Sequence, residues 1–442
     1  MVAVWHSNKN QSRGKNSGWT QWYWNKNGIE FAARVAKRGG WDVSVNMKES
    51  KLVERAFRAL DALRVEIPSW GFANTGTRFG KFVQEGAATN LEEKFSDAGE
   101  VNRLTGATPT MALHVLWDLP DGARDVPAVH TLERRYGVKA GSINPNLFQD
   151  QEYKFGSLCN PSAETRARAL KHVMHSIELA QQLGSRDVSL WLADGSNYPG
   201  TQNMRARIGW LEDSLREAHA HLSPEQRLLV EYKPFEPAFY HTDIADWGMA
   251  TELARRAGPQ ARVLVDTGHH YAGQNIEQIV AWLLHTEMLG GFHFNDRRYA
   301  DDDLTLGSID PYQVFRIFHE IHLAEEDRPD LDVAFMVDQS HNLKSKMEAM
   351  VQTICTAQEL WVKAALVNRE ELTQLQDACE LVGAEELFRD AFWRDVRPMV
   401  TEWRAARGLP IEPLRTLKES GYVERVARER GGRGAATASS YA

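Results

Sequence analysis

The 442-residue chain has no stretch of 18 or more uninterrupted apolar residues, so nothing in it is expected to span a membrane. Its first residues lack the basic flank and apolar core of a secretory signal, and a cytoplasmic location is expected. Cysteine is scarce. Cys159, Cys355 and Cys379 form no CxxC pair and no even framework, which excludes a disulfide scaffold or a thiolate zinc cage and fits a reducing compartment. Basic charge is not in excess either. A formal net charge of -8 argues against nucleic acid as a partner and suits a small neutral substrate or metal cations. No GxxxxGK[ST] loop and no GxSxG elbow occur, so neither a P-loop nor a serine hydrolase is supported.

What the chain does have is ordinary globular content, 43% hydrophobic and 25% charged, and many aromatics, including 14 tryptophans. Residues 1–28 (MVAVWHSNKNQSRGKNSGWTQWYWNKNG) show no period and are expected to be an irregular or disordered extension. Helices are expected at about Ile29–Arg38 and Ser50–Leu63. Eight short apolar runs come after them: Val65–Trp70, Thr110–Leu116, Val138–Ile143, Val188–Leu192, Leu228–Tyr232, Val263–Asp266, Gly291–Asn295 and Val333–Asp338. Helical stretches separate most of them. These include one capped by Asn160-Pro161-Ser162 and running to Leu183, and others at Met204–Ala220, Thr242–Ala257, Asn275–Leu289 and Pro311–Glu325. A doubly wound open sheet also alternates in this way. The strand count and the placement of polar residues favour an α/β fold of the (β/α)8 TIM-barrel type, with preceding helices, over residues 29–342. Residues 343–430 read as further helices (Lys344–Val367, Glu370–Val382, Glu385–Arg407 and Leu414–Arg430), too long for a single barrel helix. They are expected to wrap the barrel or make oligomer contacts. Residues 431–442 are expected to be a disordered tail.

The polar residues fall at the carboxyl ends of the candidate strands, the ends that converge on one face of a barrel. LLVEYK ends in Glu231 with Lys233 two residues on, VLVDTGHH in Asp266 with His269 three residues on, GFHFND in His293 and AFMVDQ in Asp338. Three carboxylates and an imidazole form a donor set for Mn²⁺, Mg²⁺ or Co²⁺. Asp301 and Asp303, with His269 and a bridging Asp266, would make a second oxygen-rich set. The charges are consistent: Glu231, Asp266, Asp301, Asp303 and Asp338 carry -5, two divalent ions would carry +4 and Lys233 +1. Taken singly, each motif has a plain alternative, since an Asp at a strand end is commonly a cap and Asp301–Asp303 alone would be a solvated loop. The joint order on successive strands is what favours metals. His114 in the second strand and Trp191 at the end of the fourth are candidates for contacting a substrate. Trp70 and Phe79 lie in the Gly-rich stretch PSWGFANTGTRFG, and core packing is the alternative for both tryptophans.

The strings PSWG…GTRF, YKFGSL, WLADGSNYPG, EYKPFEPAFY, VDTGHH, GGFHFNDRRYADDDL and DQSHN resemble the bacterial L-rhamnose isomerases of the xylose-isomerase-like superfamily, over about residues 50–430. The resemblance implies a homotetramer, rhamnose catabolism and two divalent metals per subunit, commonly Mn²⁺. One ion would take Glu231, Asp266, His293 and Asp338, and the other Asp266, His269, Asp301 and Asp303. Lys233 would act at the substrate carbonyl, Asp338 would assist removal of the C2 hydroxyl proton, and His114 would act near the ring oxygen. Trp191, Trp70 and Phe79 would line the pocket, Phe79 reaching across from a neighbouring subunit. The expected reaction is isomerisation of L-rhamnose to L-rhamnulose, with other aldoses as further substrates. It would proceed by a metal-assisted hydride shift from C2 to C1, with a cis-enediol route as the chemical alternative. A sugar 3-epimerase with one metal, a xylose isomerase, an endonuclease with three zinc ions and a non-catalytic sugar-binding protein are the rival readings. Tyr232, where a histidine can occur, is expected to point away from the site by strand alternation.

Overall fold

The computed structural model describes residues 43–74, 83–236, 241–299, 301, 303–341 and 343–431, with side chains from residue 49 onward. The expectations for residues 1–28, for the helix at Ile29–Arg38, for Phe79 and for the tail beyond 431 lie outside the described residues. The chain divides between Glu54 and Arg55 into two units. Among described residues the first holds only the start of helix Val43–Ala62, and the barrel belongs wholly to the second.

Eight parallel strands form one sheet in sequence order: β1 (Ile67–Pro68), β2 (Thr110–His114), β3 (Lys139–Asn144), β4 (Asp187–Leu190), β5 (Arg227–Glu231), β6 (Ala261–Asp266), β7 (Leu289–Phe294) and β8 (Ala334–Val337). The barrel closes between β8 and β1, where the Glu66 N–H donates to the Phe335 carbonyl (2.7 Å) and the Val337 N–H to the Glu66 carbonyl (2.9 Å). Strands buried on both faces need near-continuous apolar sequence, and RLLVE, ARVLVD and GGFHF provide it. Inside the barrel Leu229, Leu264 and Met336 form a small layer. Gly290 and Gly291 leave room for it, because a Cβ on Gly290 would come within 2.5 Å of Leu229 and one on Gly291 within 3.0 Å of the Ala334 carbonyl. The larger core lies between strands and helices.

Six connecting helices start on a side chain that caps the backbone three residues on: Asn90 for Leu91–Thr105, Ser162 for Ala163–Leu183, Asn203 for Met204–Ala220, Asp246 for Trp247–Ala257, Asn275 for Ile276–His285 and Asp310 for Pro311–Asp327. Two helices, Leu91–Thr105 and Val126–Tyr136, were not expected from the sequence. The expected helix at Thr242 begins instead at Trp247, because Thr242 pairs with Gly195 in a short antiparallel ladder.

The C-terminal region differs from expectation in two ways. Helix Lys346–Ala365 serves as the eighth barrel helix, so a boundary at 342/343 cuts between β8 and its own helix. It buries Val351, Ile354 and Trp361, and the Trp361 indole donates to the Ala59 carbonyl at 3.0 Å. The two long helices expected beyond it are each split. Leu381–Trp393 and Arg397–Ala406 separate because Pro398, lacking an N–H, can only begin a helix. Pro413–Glu419 and Tyr422–Arg430 separate at Gly421, which takes the left-handed conformation (φ 64°).

Candidate active site

Four neighbouring strands deliver the polar residues. Glu231 ends β5, Asp266 ends β6, His293 is the penultimate residue of β7, and Asp338 directly follows β8. Asp266 and His293 stand opposite each other in the β6–β7 register. The parallel register thus turns an order in sequence into a cluster in space. His293 Nδ1 lies 3.3 Å from Glu231 Oε2, 3.9 Å from Asp338 Oδ2 and 4.0 Å from Asp266 Oδ2. His269, three residues past Asp266, places Nε2 3.1 Å from Asp301 Oδ1 and 3.9 Å from Asp266 Oδ2. Asp266 therefore belongs to two groups whose ligating atoms lie close together, one with Glu231 and His269 and the other with His293 and Asp338.

Residues behind the cluster fix its orientation. Asp266 Oδ1 accepts from the Gly268 N–H (2.6 Å) and the Asn295 amide (3.0 Å). His269 Nδ1 lies 3.1 Å from the Tyr232 carbonyl and 3.2 Å from Glu231 Oε1, which suits an Nδ1–H donor and leaves the Nε2 lone pair on the side of Asp301, where a cation could lie between the two acceptors. The Tyr232 side chain points the other way and bonds His270 Nε2 at 2.7 Å, as strand alternation requires. The Trp70 indole donates to Asp338 Oδ1 at 2.7 Å. Asp301 and Asp303 both sit at positive φ (43° and 48°), an uncommon conformation for a residue with a Cβ. Mutual backbone bonds between Asp296 and Leu304 (2.8 and 2.9 Å) close the base of their loop.

Two polar atoms in the middle of this cluster are buried without a hydrogen-bond partner: Asp266 Oδ2 and His293 Nδ1. A buried carboxylate oxygen left unsatisfied is costly, and a cation between these groups would remove the cost. The electrostatics point the same way. Burial pushes the Glu231 carboxyl up, but His293 and His269 outweigh it and hold Glu231 below its usual range. Burial pulls His293 down, yet the surrounding Glu231, Asp338 and Asp266 raise it to about 10. Burial, with Asp266 and Glu231 adding to it, raises Asp338 against the opposing pull of His293 and the Trp70 bond.

The cluster forms one wall of a cavity of about 650 Å³. Lys233 enters it two residues beyond Glu231, with Nζ 2.6 Å from Asp301 Oδ2, 2.5 Å from Glu236 Oε1 and 5.3 Å from the centre of the Trp191 ring. Asp303, His114, Trp70 and Trp191 also line it, so these four stand around one cavity with Lys233 and the acidic cluster. His114 is stacked on Trp117 (3.8 Å between centroids), with Trp70 and Phe148 edge-on at 6.1 and 5.6 Å. Burial lowers its pKa to about 4, and its Nδ1 lies 3.0 Å from the Val115 carbonyl. At neutral pH its Nε2 is then a free acceptor. Trp117, Phe148, Glu236 and Asn295 do not stand out from sequence. Trp117 three residues after His114, and Glu236 three after Lys233, are the signals that could have found the first and third.

Residues 108–325 match the model of the xylose isomerase-like TIM barrel family. The chain is 38% identical over 391 residues to a probable sugar isomerase of Mesorhizobium japonicum, covering 86% of this chain and 90% of that protein. It is 37% identical over 403 residues to a probable sugar isomerase of Rhizobium meliloti, covering 90% of each. A xylose isomerase of Thermus thermophilus is 27% identical over 191 residues, which is 39% of this chain and 46% of that one. The chain belongs to the xylose isomerase-like TIM barrel family.

Proposed function

We propose that the protein is a two-metal aldose–ketose isomerase that interconverts L-rhamnose and L-rhamnulose. The observation that carries this reading is a single cavity holding Lys233 beside two ligand groups that share Asp266. Glu231, Asp266, His293 and Asp338 would hold one divalent ion. Asp266, His269, Asp301 and Asp303 would hold the other, with Mn²⁺ favoured over Co²⁺ and Mg²⁺. The unpartnered Asp266 Oδ2 and His293 Nδ1 support the fit. Similarity to the two probable sugar isomerases supports a sugar substrate. The strings shared with L-rhamnose isomerases support rhamnose, a cytoplasmic setting and a homotetramer.

Bound divalent ions would supply Lewis-acid polarisation of the substrate carbonyl. The rest is done by side chains of this chain. Lys233, steadied by Glu236, donates a hydrogen bond to the C1 oxygen as negative charge develops there. His114, neutral and with Nε2 available, takes the anomeric hydroxyl proton and returns it to the ring oxygen as the bond from C1 to that oxygen breaks. Asp338, oriented by Trp70, assists removal of the C2 hydroxyl proton. The aromatic wall of Trp70, Trp117, Phe148 and Trp191 excludes water and packs on the apolar face of the sugar. Hydrogen then moves from C2 to C1 as hydride, which leaves the carbonyl at C2, and the C1 oxygen takes up the proton released by the C2 hydroxyl.

A sugar 3-epimerase of the same superfamily would need one metal and neither Lys233 nor the Asp301/Asp303 pair. The Lys233–Asp301 contact inside the cavity favours the isomerase. The test is to strip the protein with EDTA, restore Mn²⁺, Co²⁺ or Mg²⁺, count ions per subunit and assay L-rhamnose, L-mannose, L-lyxose, D-allose and D-ribose. Two ions and ketose from L-rhamnose are expected. One ion per subunit, or no ketose from any aldose, would defeat the proposal.

A further inference from the structure

The segment that leaves β1 carries Trp70, the donor to Asp338, and returns to the barrel at Ala88, whose N–H donates to the Phe72 carbonyl at 2.8 Å. Its two arms are cross-linked near the base. The Asn74 amide donates to the Gln84 carbonyl (3.0 Å), and the Gln84 N–H donates to Asn74 Oδ1 (3.0 Å). The Gln84 side chain then reaches across to the stretch beyond Asp338. Its amide donates to the carbonyls of His341 (3.0 Å) and Lys344, and its oxygen accepts from the Lys346 N–H (3.2 Å). Two residues on, the Gly86 carbonyl accepts from Arg430 at 2.7 Å.

Arg430 is the last residue of helix Tyr422–Arg430 and is itself held tightly. It grips both oxygens of the buried Asp97 carboxylate (2.7 and 2.8 Å), which also accepts from the Tyr422 hydroxyl at 2.7 Å. The helix backbone lies directly against the segment. Gly86 is at φ 78°, and a Cβ there would come within 2.9 Å of the Ala427 N and Cα. Glycine is therefore needed at this point both for its backbone angle and for the close approach.

We propose that helix Tyr422–Arg430 and Gln84 together form a positioning brace for the site, one that fixes the returning arm at Gly86, holds the Trp70 arm through the Asn74–Gln84 pair, and ties both to the backbone carrying Asp338. The inference rests on Asp338 and Trp70 belonging to the metal site proposed above. A ligand such as Asp338 keeps its affinity for metal only while the groups behind it keep it aimed, and loss of such outer partners typically weakens metal binding about tenfold or more. Neither Arg430 nor Gln84 lines the cavity. Any effect they have on the metal must therefore pass through the backbone they hold.

The test is Mn²⁺ titration of the EDTA-stripped full-length protein, alongside its thermal midpoint. Gln84→Met keeps the bulk of the side chain and loses all three of its side-chain bonds to the stretch beyond Asp338. Arg430→Lys keeps a charge for Asp97 but loses the planar fork that spans both Asp97 oxygens and the Gly86 carbonyl. Both are expected to weaken Mn²⁺ binding about tenfold. The control is Trp403→Phe, which removes an indole bond to Asp61 (2.9 Å) that is no part of the brace. It is expected to lower the thermal midpoint and leave Mn²⁺ binding unchanged. If Arg430→Lys does not fold, Tyr422→Phe loosens the same helix by removing only the hydroxyl and takes its place. Wild-type affinity in folded Gln84→Met and in the helix variant would overturn the brace. A wild-type protein that binds no Mn²⁺ would instead refute the metal site on which the brace rests.

Discussion

Replacing Lys233 by methionine separates a catalytic role from mere charge balance. The ammonium lies 2.6 Å from Asp301 and 2.5 Å from Glu236, and the side chains of Lys233 and Glu236 are only 4% and 7% exposed. Removing one partner of a buried pair typically costs about 3–5 kcal/mol, because a charge stays behind unpaired. The metal-free variant should therefore melt well below wild type. Added Mn²⁺ should narrow the gap, since Asp301 would regain a cation. Metal affinity itself should not fall, because an ammonium is no ligand and its loss relieves repulsion. Turnover behaves differently. If Lys233 donates to the C1 oxygen, kcat should drop by about two orders of magnitude or more, the usual cost of losing one preorganised donor. The assay is kcat and Mn²⁺ content measured on one preparation, with C2-deuterated L-rhamnose as substrate. Retention of the label at C1 of the ketose identifies hydride transfer, and extensive washout identifies the enediol route. A Lys233→Met protein with near wild-type kcat would remove Lys233 from the chemistry whichever route operates.

Asp303→Asn should leave the barrel folded, because its loop is added to a closed scaffold, and should cost one of two ions with a larger effect on kcat than on KM; both ions and full activity retained would refute the assignment. In the metal-free protein His293 is raised to about 10, so an ion using this imidazole must displace its proton. Mn²⁺ affinity should thus climb by about tenfold per pH unit between about pH 7 and 9, with proton release detectable by calorimetry in buffers of different ionisation enthalpy; pH-independent binding would contradict it. The same shift makes His293 stabilise the metal-free fold fully below its ordinary value of 6.5, and that contribution should fade as pH rises towards about 10. Light scattering at micromolar protein should report an oligomer, because Leu381, Val382 and Trp393 on helix Leu381–Trp393 are 68%, 74% and 71% exposed, and the resemblance to L-rhamnose isomerases supplies a tetramer as the expected size; a monomer mass would contradict this.

The fold was legible wherever one local signal dominated. Strands β5 to β8 read as apolar runs because both of their faces are buried, and the long helices read from caps such as Ser162 and stops such as Gly184. Helix Leu91–Thr105 was not, although Thr89–Glu93 is a capping box: Asn90 accepts from the Glu93 N–H, and the Glu93 carboxylate reaches back to the Thr89 N–H. Its apolar face is short and interrupted by Lys94 and Asp97, which are buried only because Asp118 and Arg430 meet them there. Such compensation is invisible until both ends of the chain are in place. β1 is shorter than its sequence suggests for the same reason. VEIPSW looks like six strand residues, but only Ile67–Pro68 pair regularly and Ser69–Phe72 turn into a 3-10 turn.

The clustering of Glu231, Asp266, His293 and Asp338 was legible because a parallel barrel converts strand order directly into proximity. Their partners were not, since Trp70 on Asp338 and Asp301 on Lys233 join residues far apart in sequence. Those partnerships carry a consequence of their own. Six carboxylates belong to the site (Glu231, Glu236, Asp266, Asp301, Asp303 and Asp338), and two side-chain cations stand among them. The imidazolium of His293 lies against Glu231, and the ammonium of Lys233 lies between Asp301 and Glu236. These resident cations are the very groups a divalent ion would have to dislodge. His293 would give up a proton, and Asp301 would exchange its contact with Lys233 for one with the ion, while Glu236 keeps its contact with Lys233. Under the proposed function, Glu236 is then the group that holds the Lys233 ammonium in the cavity once Asp301 has turned to the ion.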